Sequence, residues 1–220
     1  TNVHWRLDGP GCIGLPVAGT SIKFLPNGDK LEMRVKGPQV FPGYLNNPEK
    51  TAEAFDEDGY YKIGDAGLLI DPARPEKGIA FNGRVAEDFK LTTGTWVSVG
   101  TLRVRAVTAF APFAQDVVVT GHDRDEVGLL VFPTPAAKGV PTEQLHAHVR
   151  EGLRKLKAEG GGGSSQSPTR AMLLDEPPSM DAGEITDKGY INQRAVLARR
   201  ADDVLSLHTS PKLDRVVFLK

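Results

Sequence analysis

Cysteine is nearly absent: Cys12 is the only one in 220 residues. No disulfide can therefore form within the chain, and a lone thiol fits a reducing, cytoplasmic setting. Long apolar runs are missing too. None approaches the ~18 residues of a membrane helix, so no membrane partner is expected. The start, TNVHWRLDG, has neither the basic flank nor the apolar core of a secretory signal. It also lacks an initiator methionine, and residue 1 is expected to lie inside a longer gene product. Charge of one sign does not dominate. The formal net charge is -1, basic residues form no run of five or more, and nucleic acid is not an indicated partner. Several reactive motifs are missing as well. There is no GxSxG elbow, and the GGGG run at 160–163 lacks the lysine and hydroxyl of a phosphate loop. His146 and His148 are two apart, so on a helix they face different sides and cannot share a metal. No metal site is expected within the chain.

What is present suits a globular protein: 40% of residues are hydrophobic and 25% charged. Residues 1 to about 83 read as strands and turns. IGLPVAG and IKFLPNGDKLEMRVKG carry short apolar or alternating runs, with Asn27-Gly28 as a hairpin signal. PEKTAEAF after Asn47 should form one or two helical turns, its proline early, and GYYKIGDAGLLID returns to strand character. The pattern changes at Gly83-Arg84. FKLTTGTWVSVG looks like a hairpin about Thr93-Gly94, while QDVVVTG and EVGLLVFP suit buried strands. Between Pro141 and Ala158, Leu145, Val149, Leu153 and Leu156 share a helical face, with Thr142 as the expected cap. GGGGSSQS (160–167) reads as a flexible loop or linker. AMLLDEP is a short strand, and a helix begins near Asn192 with Leu197, Ala201, Val204 and Leu205 on one face. RVVFL is a final edge strand, and Trp5 and Trp96 are core or edge aromatics. Strands alternating with helices after residue 84 argue for an α/β domain. The expected organisation is α/β (α+β), with a β-rich segment, 1–85, followed by a small α/β domain, 86–220.

Three positions could carry chemistry. Asp65 follows Gly64 at a turn, where a carboxylate can accept both hydroxyls of a ribose or, more simply, bond its own backbone. Arg84 directly follows Gly83. Its fork of donors suits a ribose hydroxyl or phosphate, and equally an exposed arginine at a linker. Glu87, Asp88 and Lys90 read most simply as a solvated face. Lys188, between Asp187 and Gly189, is accessible and conformationally free. A compact ammonium there can neutralise a reacting carboxylate and phosphate together, or be an ordinary loop lysine.

In order, PGCIGLPVAG, LEMRVKGPQVFPGYLNNPEKTAEAF, DGYYKIGDAG and GRVAEDFKLTTG resemble the latter half of an adenylate-forming acyl-CoA synthetase. GRVAEDFKLTTGTWVSVG and DAGEITDKGYINQR resemble the feruloyl-CoA synthase group within that superfamily. The resemblance implies an ATP-dependent ligase that adenylates an aromatic, ferulate-like acid and passes the acyl group to CoA. It makes Asp65 and Arg84 nucleotide-binding, Lys188 catalytic, and Lys90 and Gly94 part of the CoA path. Ala86 and Glu87 become the hinge about which a mobile carboxyl-terminal lid turns. ATP, CoA and Mg2+ are the implied cofactors. The phosphate loop, the magnesium-linked glutamate and most of the acid pocket would precede Thr1, in a missing amino-terminal part of the same synthetase. The isolated chain is then expected to be inactive. Two alternatives stay open: a general acyl-CoA synthetase for fatty or other acids, and a non-catalytic nucleotide- or CoA-binding fragment.

Overall fold

A computed structural model describes residues 11–28, 30–209 and 215–219; Trp5 lies outside them. The chain divides into two units, Thr1–Ala86 and Glu87–Lys220, and each has its own four-stranded sheet.

The first unit is an antiparallel meander. Strands β1 (Ser21–Asn27) and β2 (Lys30–Lys36) pair in a register that sets Asn27 opposite Lys30. This leaves a two-residue turn in which Gly28 supplies φ +67°, the left-handed geometry a tight hairpin needs. Helix α1 (Pro48–Ala54) starts as its sequence suggests: Pro48 occupies the first turn and the Asn47 side chain accepts the Lys50 N–H at 2.9 Å. Strands β3 (Tyr61–Leu69) and β4 (Ile79–Arg84) complete the order β1-β2-β3-β4. The expected strand at IGLPVAG does not form as a regular ladder. Its backbone runs beside β4, with Ile13 N–H donating to Ile79 O at 2.8 Å and a bridge from Cys12 to Ala80. Gly14 at φ +84° and the donor-less Pro16 break the pairing pattern.

The second unit opens with the expected hairpin, β5 (Phe89–Lys90) and β6 (Trp96–Val97). Next comes helix α2 (Val99–Phe110), which the residue pattern does not announce. Strands β7 (Ala114–Thr120) and β8 (Gly128–Pro133) follow, then helix α3 (Thr142–Glu159) and strand β9 (Arg170–Leu173). Helices α4 (Gln193–Arg199) and α5 (Ala201–Thr209) lead to the edge strand β10 (Val216–Phe218). The sheet order is β10-β9-β8-β7, with β8 and β9 parallel and the outer pairs antiparallel.

Both faces of this sheet are covered, which explains its uninterrupted apolar runs. Side chains alternate along each strand. Val117, Val119, Leu129, Val131 and Ala171 face one core with Leu102, Phe110, Val149 and Leu153 of α2 and α3. Val118, Leu130, Phe132 and Met172 face the other, with Val196 and Leu207 of α4 and α5. The α2–α3 approach depends on Gly152, where a Cβ would lie 2.4 Å from a ring carbon of Phe110.

Two expectations need correction and a third, the loop or linker at 160–167, is narrowed to a loop. Thr142 is the first residue of α3 rather than its cap, because the Pro141 carbonyl already accepts Gln144 N–H at 2.9 Å. The GGGGSSQS stretch is a turn-rich loop joining α3 to β9 inside one unit, with Gly161 and Gly162 at positive φ, and it separates no domains. The last helix is interrupted at Arg200, whose buried side chain turns inward to Glu184. Val196 and Leu207 therefore become the buried positions, and Leu205 is left 51% exposed.

Candidate active site

Asp65 and Arg84 sit directly opposite each other in the β3–β4 ladder. Gly64 before Asp65 and Gly83 before Arg84 both have positive φ, +74° and +80°, a region that side-chain-bearing residues rarely enter. The register is irregular between Asp65 and Gly67, and such breaks re-aim side chains out of a sheet. The result brings Arg84 Nε to 3.2 Å from Asp65 Oδ1. The pair is in contact, yet Asp65 Oδ1 is buried and receives no aligned hydrogen bond. Burial pushes the Asp65 carboxyl above its ordinary range, and the Arg84 charge opposes that shift. A buried oxygen of a half-buried carboxylate, short of aligned donors beside an exposed guanidinium, fits hydroxyl donors such as a ribose diol.

Between the units the chain makes a short 3-10 turn, Val85–Glu87, which contains Ala86 and Glu87. Asp88, expected on a solvated face, instead accepts the Val99 N–H at 3.0 Å through Oδ1. It thereby caps α2 from outside the helix. Ser98, the residue at the cap position, makes no such bond.

Lys90 and Gly94 share the β5–β6 hairpin. The Lys90 ammonium lies 5.0 Å from the Trp96 ring centroid, and Gly94 turns at φ +81° with its N–H on Leu91 O at 2.9 Å. The hairpin is tied to the 121–125 turn through Thr92 N–H to Arg124 O at 3.0 Å and Thr92 Oγ1 to Asp125. A polar cleft of about 450 Å³ opens there, lined by Thr92, Arg124, Arg170 and His208 among others. Burial, then the charges of Arg124 and Arg170, lower the His208 pKa to about 4, and its Nε2 lies 2.8 Å from Thr120 Oγ1.

Lys188 stands exposed at the tip of a tight loop of the second unit. Ile185 and Ile191 bridge its base; Thr186 N–H donates to Tyr190 O at 2.8 Å and Gly189 N–H to Thr186 O at 2.9 Å. Beneath it, Glu184 is 0% exposed. Its carboxylate accepts Arg200 Nε at 2.7 Å, Arg199 Nη1 at 2.7 Å and the Ser179 N–H at 2.8 Å. The Arg200 guanidinium above all holds the Glu184 carboxyl at about 2, with the Ser179 N–H and Arg199 assisting against the cost of burial. Nothing in the sequence distinguishes Glu184 from the acidic residues around it. The only signal is an Arg-Arg pair 15 and 16 residues later.

Among the described residues, no group of three or more His, Cys, Asp or Glu could hold a metal ion, and no helix is long and apolar enough to cross a membrane.

The family of AMP-binding enzyme C-terminal domains matches residues 98–211. A chloroplastic long-chain-fatty-acid–[acyl-carrier-protein] ligase of Arabidopsis thaliana is 27% identical over 90% of this chain, which spans 29% of that ligase. A carboxylic acid reductase of Segniliparus rugosus is 29% identical over 80% of this chain and 15% of its own length. The solved adenylation domain of the S. rugosus reductase, in complex with AMP and a co-purified carboxylic acid, superimposes with a TM-score of 0.73 at 26% identity. That match covers 88% of this chain and 32% of the other. ATP-bound MatB from Rhodopseudomonas palustris gives 0.61 at 26% identity over 89% and 36%. The chain thus spans less than a third of the curated relatives' length. The family match extends over more than half of the residues and the solved adenylation domain shares the fold: the chain belongs to the AMP-binding enzyme C-terminal domain family of the adenylate-forming superfamily.

Proposed function

We propose that this chain is the carboxyl-terminal portion of an AMP-forming acid–thiol ligase acting on a ferulate-like aromatic acid. The observation that carries this is the Asp65–Arg84 pair: a buried carboxylate oxygen without an aligned hydrogen bond, held opposite an exposed guanidinium. Asp65 accepts the ribose hydroxyls of ATP, and Arg84 leaves its ion pair for the ribose or phosphate region. Lys188 offsets negative charge as the acid's carboxylate oxygen bonds to the α-phosphorus and pyrophosphate leaves. A thiolate then attacks the acyl carbonyl, forming the thioester and releasing AMP. CoA is the proposed thiol, with Lys90 and Gly94 on its path beside the Thr92–Arg124 cleft. Turning at Ala86 and Glu87 exchanges the face presented for each step. The groups holding the triphosphate and magnesium lie in an amino-terminal part of the same synthetase, and the setting is cytoplasmic.

Support for the ligase comes from the relatives' own chemistry, since one joins fatty acids to a carrier protein and the reductase's adenylation domain carries AMP with an acid. Those names also favour a second reading, in which the acid is fatty and the thiol belongs to a carrier protein. Acid-dependent exchange of labelled pyrophosphate into ATP by the full-length protein separates the two. Exchange driven by ferulate and not by long-chain acids supports the aromatic substrate, and the reverse overturns it. The 220-residue chain alone should give none. Lys188→Ala should slow adenylation by about 100- to 1,000-fold while sparing thioester formation from a supplied acyl-adenylate. Equal loss in both would remove Lys188 from its role.

A further inference from the structure

We infer that Glu184 is a positioning residue for Lys188, and that through Arg199 and Arg200 it ties the placement of that lysine to the two helices that follow. The inference rests on the reading of Lys188 as the adenylation lysine. Glu184 joins both ends of the loop that carries Lys188. Its backbone N–H donates to Ser179 O at 2.9 Å, and its backbone carbonyl accepts the Asn192 N–H at 2.8 Å. Asn192 in turn caps α4 through its side chain, which accepts Ala195 N–H at 3.3 Å. The Glu184 carboxylate is fully enclosed and takes donors from three directions: Ser179 N–H before the loop, Arg199 at the end of α4, and Arg200 at the break between α4 and α5. Arg200 is itself fixed by Pro177 O at 3.0 Å and lies over the Phe132 ring of β8. The loop tip is exposed and its base is clamped to the core. A long, flexible lysine at such a tip loses little reach and gains a fixed origin, the condition for a group that must meet charge developing in a transition state.

A misplacement of about 1 Å can cost about 100-fold in rate, so loosening the clamp should appear in the half-reaction that uses Lys188 and in no other. The test uses the full-length protein with Glu184→Gln and Arg199→Leu, each alone and combined with Lys188→Ala. Arg199 is 42% exposed in its side chain, so its variant should fold even if Glu184→Gln does not, and it then decides alone. Pyrophosphate exchange and thioester formation from a supplied acyl-adenylate are measured for each. The expected result is a loss of adenylation of about 10- to 100-fold with thioester formation within about twofold, and no further loss once Lys188 is alanine. Arg199→Lys should recover most of the activity lost in Arg199→Leu. Equal losses in both half-reactions, or an added loss in the Lys188→Ala background, would mark a merely structural clamp and overturn the inference. Unchanged adenylation in both single variants would also overturn it. If Lys188→Ala itself leaves adenylation intact, the fault lies instead with the role given to the lysine.

Discussion

Asp65 and Glu184 are both carboxylates withdrawn from water beside arginines, yet they are built to opposite ends. Glu184 is saturated by two guanidiniums and a backbone N–H, and its carboxyl is held at about 2. Asp65 has one arginine, in contact but not aligned, and its carboxyl is pushed up rather than down, by burial against the Arg84 charge. A saturated carboxylate is not available to a ligand and acts through the groups it holds in place. An under-satisfied one carries a desolvation cost that an incoming donor relieves. Local satisfaction, more than burial, thus separates Glu184 from Asp65, the acid proposed to bind a ligand.

The contrast can be broken most sharply by mutation. Removing one partner of a buried ion cluster leaves the other charges uncompensated, so Glu184→Gln should destabilise the chain by about 3–5 kcal/mol in urea unfolding. Asp65→Asn should change stability by less than about 1 kcal/mol, and a loss as large as that at Glu184 would mean Asp65 is structural. In the full-length protein, Asp65→Ala should weaken apparent ATP affinity by about tenfold or more; an unchanged affinity would remove its ribose role.

The pH dependence offers a finer test, because the signs are opposed. Glu184, depressed in the fold, contributes stability that is complete above its ordinary carboxylate range and is lost as pH falls toward about 2. Asp65, raised in the fold, binds more protons folded than unfolded just above its ordinary value of 3.8. Stability should therefore fall slightly as pH rises through that window, and Asp65→Asn should remove the slope. His208 overlaps it: burial first, then Arg124 and Arg170, lower its pKa from 6.5 to about 4, so its contribution is present above 6.5 and lost as pH falls toward 4. The Asp65 slope is best read in a His208→Gln background by unfolding across that range.

Much of this was legible in the residues. Asn27-Gly28 announces its hairpin, Asn47-Pro48 its helix, and the spacing of Val149, Leu153 and Leu156 gives α3 its buried face. Helix α2 is hidden because VGTLRVRAV is rich in β-branched residues, which favour strand over helix. Tertiary burial of Val99, Leu102, Ala106 and Phe110 overrides that preference. The break at Arg200 has no glycine or proline to signal it. Its cause is a partner 16 residues earlier, and pairings of that kind exist only in three dimensions. The same holds at the candidate site. Lys188 is visible through its glycine neighbour, whereas Glu184 and the cap supplied by Asp88 are invisible until the chain is folded.

The loop from Gly160 to Ser167 offers a practical handle. At Gly161 and Gly162 an added Cβ would meet no atom within 4 Å, and doubling the length of a flexible loop costs only about 0.6 kcal/mol. Both glycines have positive φ, so a short tagged peptide inserted beside them, rather than a substitution of either, would give the second unit a position from which the proposed rotation could be watched directly.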